Sequence, residues 1–270
     1  MSLDILTQAA DFRDESEALD QLIAPLDDAA LQQVTGFKGW TIEQIIAHLY
    51  HWTWAVDLSV TDEPAFLAHL RDFGARKAAL GMRALEHEWL DGLSGRALVD
   101  RWRAGYRQTA ERFLAIDPRR RLKWAGPDMS ARSSMTARQM ETWAHGQAVF
   151  DRLGVERIDT DRIRNIVVLG VNTFGWTFKV HEREMPEAPP QVELSAPSGE
   201  RWVYHEGSTS GRIQGTATEF CQVVTQVRHR DDTALRIEGE VAEQWMSIAQ
   251  CFAGPPETPP APGSRRVCRR

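Results

Sequence analysis

The chain has 270 residues, with 32 basic and 38 acidic side chains and a formal net charge of −6. Its 42% hydrophobic and 26% charged content is that of a globular protein with apolar mass for one large domain or two ordinary ones. The net-acidic balance argues against a general nucleic-acid binder, and the longest strongly apolar run, Ile166 to Val171, is far below the ~18 residues of a membrane span.

In chain order, the first half reads as helices. Residues 3 to about 23 carry Ile5, Ala9, Phe12, Leu19 and Leu22 at helical spacing, and Pro25 breaks the run. A short segment, 28–34, leads into a turn at Gly36-Phe37-Lys38-Gly39. Thr41 and Gln44 form a capping-box pattern, so a helix is expected over 41–60, with Ile45, His48, Trp52 and Ala55 along one stripe. Trp40 before the cap and Ile45 after it suit a hydrophobic staple. Helices are expected again over 62–91 and 95–116, the second ended by Asp117-Pro118. A loop follows with Arg119, Arg120, Arg121, Gly126 and Pro127, and Ser133 or Ser134 then caps a helix that Gly154 stops. Long helices joined by short-to-moderate loops predict a bundle.

The second half changes character. A helix is expected over 160–180, then strands at Val192–Ser195, Arg201–His205 and Gly211–Gln214 between glycine-containing turns. A helix over 216–229, a strand at Ala234–Ile237 and a helix over 239–252 complete an α+β pattern. The expected division is therefore a helical domain, 1–157, a smaller α+β domain, 158–254, and a disordered proline-rich, basic tail, 255–270.

Two separated strings carry the chemistry. One is Gly39 to Leu49, GWTIEQIIAHL, with His48 near its end; the other is Met140 to Gln147, METWAHGQ. Glu141 and His145 are four apart, so on a helix they share one face and can converge on a point. His48, from a facing helix, would supply a third donor, as bundle cores build metal sites. Two imidazoles and a carboxylate suit Zn²⁺ or another divalent transition metal, and three protein ligands leave a coordination position open. Taken singly, these residues have blander readings. A Glu–His pair four apart usually forms a surface pair or a satisfied hydrogen bond, and a lone histidine on an apolar stripe is more often a satisfied core residue.

The two strings, nearly a hundred residues apart, resemble the DinB-like metal-binding superfamily, and within it the proteins related to mycothiol-dependent maleylpyruvate isomerase. The resemblance covers residues 1 to about 155 as a four-helix bundle. It continues in Gly215 to Cys221 leading to Arg228, and in Gln250 to Pro256, which are similar to the smaller C-terminal domain of an actinobacterial branch. It implies that His48, Glu141 and His145 bind a divalent metal, usually zinc, used with a low-molecular-weight thiol such as mycothiol or bacillithiol. The thiol isomerises a substrate by reversible addition or transfers its sulfur to an electrophile. It also aligns Arg228 with an arginine that closes the corresponding helix, where it would bind a substrate carboxylate; the plainer reading is a cation favourably placed at a helix C-terminus.

The three cysteines, Cys221, Cys251 and Cys268, are odd in number and form no C-x-x-C, which argues against a disulfide framework or a cysteine zinc site and fits a reducing cytoplasm. The start, Met1 to Phe12, lacks the basic and then apolar regions of a secretory leader. His51, one turn from His48, is a candidate fourth ligand or proton shuttle, whereas His69 and His87 read as surface residues. Arg119–Arg121 reads as a solvated loop, and Gly207 to Gly211 as a turn rather than a serine-hydrolase elbow. The expected function is a thiol-activating metalloenzyme of the cytoplasm acting on a small electrophile. A metal-binding protein without turnover and a metal-dependent hydrolase are the competing readings; a closed four-ligand site favours the former.

Overall fold

The computed structural model describes residues 7–265, and Ile5 and Cys268 lie outside that range. The chain divides after Arg152 into two compact units; the sequence places the boundary at 157, in the extended stretch that follows. The fold class is mixed α+β: a helical bundle first, then a small sheet with helices.

In the first unit, α1 is Thr7–Ile23, α2 Asp28–Leu31, α3 Ile42–Thr61, α4 Glu63–Leu80, α5 Met82–Trp89, α6 Gly95–Leu114 and α7 Ala131–Leu153. The long helices are α1, α3, α4, α6 and α7, with α4 and the short α5 against α3. The capping box at Thr41 forms in both directions: Thr41 Oγ1 accepts from Gln44 N–H and Gln44 Oε1 from Thr41 N–H, each at 3.1 Å. It fixes where α3 starts, and so which face carries His48. The single helix expected over 62–91 is broken. Gly81, at φ 78°, ends α4 and starts α5 in a conformation that L side chains rarely adopt. The bend brings Leu85 and Glu86 onto α3, where Leu85 joins Trp52, Ala55, Phe66 and Phe73 in a hydrophobic cluster.

Helix α6 is capped by tertiary contacts. Ser94 makes no side-chain cap; Arg96 N–H instead donates to Asp28 Oδ1 at 2.8 Å and Gly95 N–H to Glu43 Oε2 at 2.6 Å. A bidentate ion pair, Arg103 to Asp20 at 2.7 and 2.8 Å, with Tyr106 O–H donating to the same carboxylate at 3.1 Å, ties α6 to α1. Phe12, Leu19, Trp102, Phe113 and Trp143 fill the core, each no more than 1% exposed. Between α6 and α7 a hairpin pairs β1 (Arg121–Leu122) with β2 (Met129–Ser130). Helix α7 starts earlier than the expected caps: Ser130 Oγ accepts from Ser133 N–H at 3.1 Å, so the serine one turn upstream serves the N-terminus.

The second unit holds α8 (Arg164–Asn172), α9 (Phe174–Val180), β3 (Gln191–Ser195), β4 (Arg201–Tyr204), β5 (Arg212–Thr216), α10 (Ala217–Val224), β6 (Arg236–Glu238) and α11 (Glu240–Ile248). The sheet order is β4-β3-β5-β6, with β3 and β5 parallel and the outer pairs antiparallel. The helix expected over 160–180 is interrupted at Thr173, whose hydroxyl donates to the carbonyls of Leu169 (2.8 Å) and Gly170 (3.0 Å). Gly170 permits close packing: a Cβ there would meet Val224 at 2.9 Å and Phe220 at 3.0 Å. The helix expected over 216–229 stops at Val224, because Gln226 adopts φ 57° and the N–H groups of Val227 and Arg228 turn back to the Gln222 carbonyl. The helix expected to reach 252 ends at Ile248, and Cys251 N–H then donates to the Val224 carbonyl. Of the tail expected to be disordered, residues 255–265 carry no helix or strand. Glu257 N–H donates to Gln250 Oε1 at 2.9 Å and Gly263 N–H to Asp232 Oδ1 at 2.8 Å. No helix among the described residues is long and apolar enough to cross a membrane.

Candidate metal centre

His48 projects from the middle of α3, and Glu141 and His145 from successive turns of α7. One donor atom from each lies within 4.8 Å of the others. Glu141 Oε2 is 3.1 Å from His145 Nε2 and 3.8 Å from His48 Nε2. An ion held at ordinary zinc distances sets neighbouring donors about 3.4 Å apart, a spacing these two distances bracket. The side chains are 8% (His48), 22% (Glu141) and 11% (His145) exposed. The turn at 36–39 supplies the walls. Trp40 stacks on His145 with centroids 5.9 Å apart, Phe37 meets His145 edge-on at 4.7 Å, and Trp40 meets His48 at 5.4 Å.

Glu86, which the sequence did not single out, stands behind His48. Its Oε1 accepts from His48 Nδ1–H at 2.7 Å and from Trp52 Nε1–H at 3.0 Å, and the side chain is 3% exposed. With Nδ1 committed as a donor, the neutral form of His48 carries its lone pair at Nε2, facing Glu141. A carboxylate behind a histidine is the usual means of fixing the tautomer of a metal ligand. Glu86 lies 38 residues from His48 in sequence on another helix, and no local motif marks it.

The electrostatics follow from this packing. Burial pulls the His48 imidazole down, but the Glu86 charge and the hydrogen bonds that His48 donates to Glu141 and Glu86 outweigh it and lift His48 to about 9. Burial raises Glu86, and the His48 charge and hydrogen bond reverse this, bringing it to about 2. Burial likewise opposes ionisation of Glu141, yet hydrogen bonds from His145 and His48 and the Arg138 charge hold it well below the ordinary range. Burial lowers His145, and its Nδ1 is buried without a hydrogen-bond partner. Two imidazoles and an ionised carboxylate that face one another need a shared cation, a proton or a metal. The borderline-soft N₂O donor set fits a divalent transition metal.

The other candidates fall elsewhere. His51 is fully buried, but its Nε2 pairs with His69 Nε2 at 2.9 Å and its Nδ1 is 3.8 Å from Glu86, so it faces a half-buried histidine rather than the triad. His69, read as a surface residue, is thereby a buried-side partner of α3. His87 and Arg119–Arg121 are exposed. Ser208, within Gly207 to Gly211, donates to the Pro189 carbonyl in a turn. Arg228 belongs to the second unit, past the end of α10 rather than at it, with Nη1 donating to the Val227 carbonyl at 3.2 Å. Cys221 and Cys251 are buried free thiols of that unit.

The model of the mycothiol maleylpyruvate isomerase N-terminal domain matches residues 12–150, more than half of the chain. Curated relatives include uncharacterised proteins of two strains of Mycobacterium tuberculosis, each 42% identical over 248 residues, which is 92% of this chain and 95% of the relative. Among solved structures, the crystal structure of the mycothiol-dependent maleylpyruvate isomerase superimposes with a TM-score of 0.52 at 17% identity, covering 88% of this chain and 93% of that one. A mutant form of that enzyme gives 0.50, also at 17% identity, covering 85% of this chain and 90% of that one. At that identity the likeness is one of fold. The chain belongs to the mycothiol maleylpyruvate isomerase N-terminal domain family.

Proposed function

We propose that His48, Glu141 and His145 hold a divalent metal, with zinc the ion that suits them, and that the protein is an enzyme activating a low-molecular-weight thiol such as mycothiol. The reaction is S-transfer, thiol exchange or isomerisation on a small electrophile. The observation that carries this reading is the convergence of three donors with Glu86 holding the proton at His48 Nδ1. Three protein donors leave a coordination position for a non-protein ligand, where a closed structural site would use four. Bound there, the metal lowers the pKa of a thiol and makes the thiolate, the nucleophilic form, available at neutral pH.

The chain's own residues do the rest. Glu86 and Trp52 keep the His48 lone pair aimed at the site. Glu141 keeps its charge despite burial, because both histidines and Arg138 favour the ionised form. Phe37 and Trp40 limit water around His145. No cysteine occurs in residues 1–220, so the first unit supplies no sulfur nucleophile of its own, and a thiol cofactor is the simplest source. The fold shared with a mycothiol-dependent isomerase supports mycothiol as that thiol.

The test is a metal analysis of the purified chain, followed by cobalt substitution and addition of mycothiol, bacillithiol and glutathione at millimolar concentration. About one metal per chain and a thiolate-to-cobalt charge-transfer band are expected. Replacing Cys221, Cys251 and Cys268 by serine should leave the band in place. A cobalt spectrum unmoved by all three thiols refutes thiol activation and leaves hydrolysis or metal binding without turnover.

A further inference from the structure

One charged group beside the triad, Arg138, acts on Glu141 through its charge alone and makes no hydrogen bond to it. Arg138 precedes Glu141 by three residues on α7, so Arg138, Glu141 and His145 form one stripe of the helix. The Arg138 side chain is only 7% exposed. Its guanidinium lies over the Trp124 ring, 5.2 Å from the centroid. Its Nη2 is 3.9 Å from Glu141 Oε1, beyond hydrogen-bond reach, and its Nε is buried with no hydrogen-bond partner.

This is an expensive arrangement. A guanidinium keeps its charge in proteins and presents five donors in a planar fork. Buried charges persist where they are paired and hydrogen-bonded. Were Arg138 there only to neutralise Glu141, a direct hydrogen bond would serve better than a 3.9 Å approach to Oε1, since both histidines meet the other oxygen, Oε2.

We propose that Arg138 is a binding residue for a carboxylate group of the ligand taken beside the triad. The inference rests on the metal reading of His48, Glu141 and His145 and specifies what is bound next to it. The planar fork matches the two coplanar oxygens of a carboxylate, and one guanidinium matches its single charge. The Trp124 face backs the fork and holds its plane, so that its donors meet the ligand already oriented.

The test uses the full chain loaded with zinc and reads binding rather than turnover. Calorimetric titration with succinate, with its neutral diamide and with inorganic phosphate is compared for wild type, Arg138→Gln and Arg138→Lys, with zinc content measured on each. Succinate affinity should fall at least tenfold in Arg138→Gln and remain reduced in Arg138→Lys, because an ammonium lacks the fork, while zinc content is kept. The diamide should not distinguish the three proteins. Should Arg138→Gln lose its circular-dichroism signal, Arg138→Lys decides: a tenfold loss supports the assignment and wild-type affinity overturns it. Failure of zinc-loaded wild type to bind succinate, or equal affinity in Arg138→Gln, overturns it as well. Phosphate binding that is tighter than succinate and equally dependent on Arg138 replaces carboxylate by phosphate. Absence of zinc from wild type refutes the metal reading instead, and the zinc assay reads that separately.

Discussion

Replacing Glu86 by glutamine is the sharpest probe of how the site is organised, because it removes one charge and almost no volume. Glu86 touches no proposed metal position; it acts through the 2.7 Å hydrogen bond to His48 Nδ1. Glutamine with its carbonyl in the Oε1 position can still accept from both His48 Nδ1–H and Trp52 Nε1–H, but it loses the carboxylate charge that raises the basicity of His48. Groups in this position contribute about 10–100-fold to metal affinity, equivalent to about 1.4–2.7 kcal/mol. The effect should fall in the upper part of that range, since both partners are buried and water screens the pair little. Zinc affinity measured by competition with a chromogenic chelator should therefore weaken tenfold or more, with the helical circular dichroism unchanged. Glu86→Ala should cost stability as well: the His48 and Trp52 N–H groups would each be buried without an acceptor, at about 1–3 kcal/mol apiece. Zinc affinity in Glu86→Gln within threefold of wild type would refute the claim that Glu86 positions His48.

Alanine at His48, Glu141 or His145 should each remove most of the bound metal; wild-type metal content in the triple variant would rule out the site. Chelation should leave the helices of the first unit formed, since their core is built from residues such as Phe12, Trp102 and Trp143, but should lower the melting temperature, by about 4 kcal/mol of lost stability if free metal stood at a thousand times its Kd. Loss of helical signal on chelation would make the metal structural. In the metal-free protein, His48 is raised from 6.5 to about 9, so its contribution is complete below pH 6.5 and is lost as pH rises through 9. Glu86 is lowered from 4.5 to about 2, so its contribution is present above pH 4.5 and is lost as pH falls toward 2. Melting temperatures of chelated wild type should thus hold a plateau between about pH 4.5 and 6.5 and decline as pH rises through 9, a decline that His48→Gln removes; parallel pH profiles for the two proteins would contradict the pairing. Thr41→Ala should cost about 1 kcal/mol by removing the cap of α3, readable as a lower denaturant midpoint at constant m-value.

Thr41 and Gln44 mark the start of α3, and Glu141 and His145 fall on one face of α7, for the same reason. Each relation lies within a turn or so of one helix, where sequence spacing alone fixes geometry. The apolar periodicity that sets the helices of the first unit, and the turn residues that separate the strands of the second, are local in the same sense. Even there, the breaks at Gly81 and Thr173 escaped a reading by periodicity, because the apolar pattern continues across both. What chain topology decides is different in kind. Glu86 meets His48 because Gly81 redirects α5 onto α3, and Trp124 meets Arg138 because a hairpin precedes α7. Phe37 and Trp40 wall the site because the turn before α3 lies over α7. His51 pairs with His69 of α4 instead of joining the triad. These contacts join residues far apart in sequence, and no spacing rule encodes them. The converging triad was therefore legible from two short strings, whereas the groups that orient and charge it became visible only once the helices were packed.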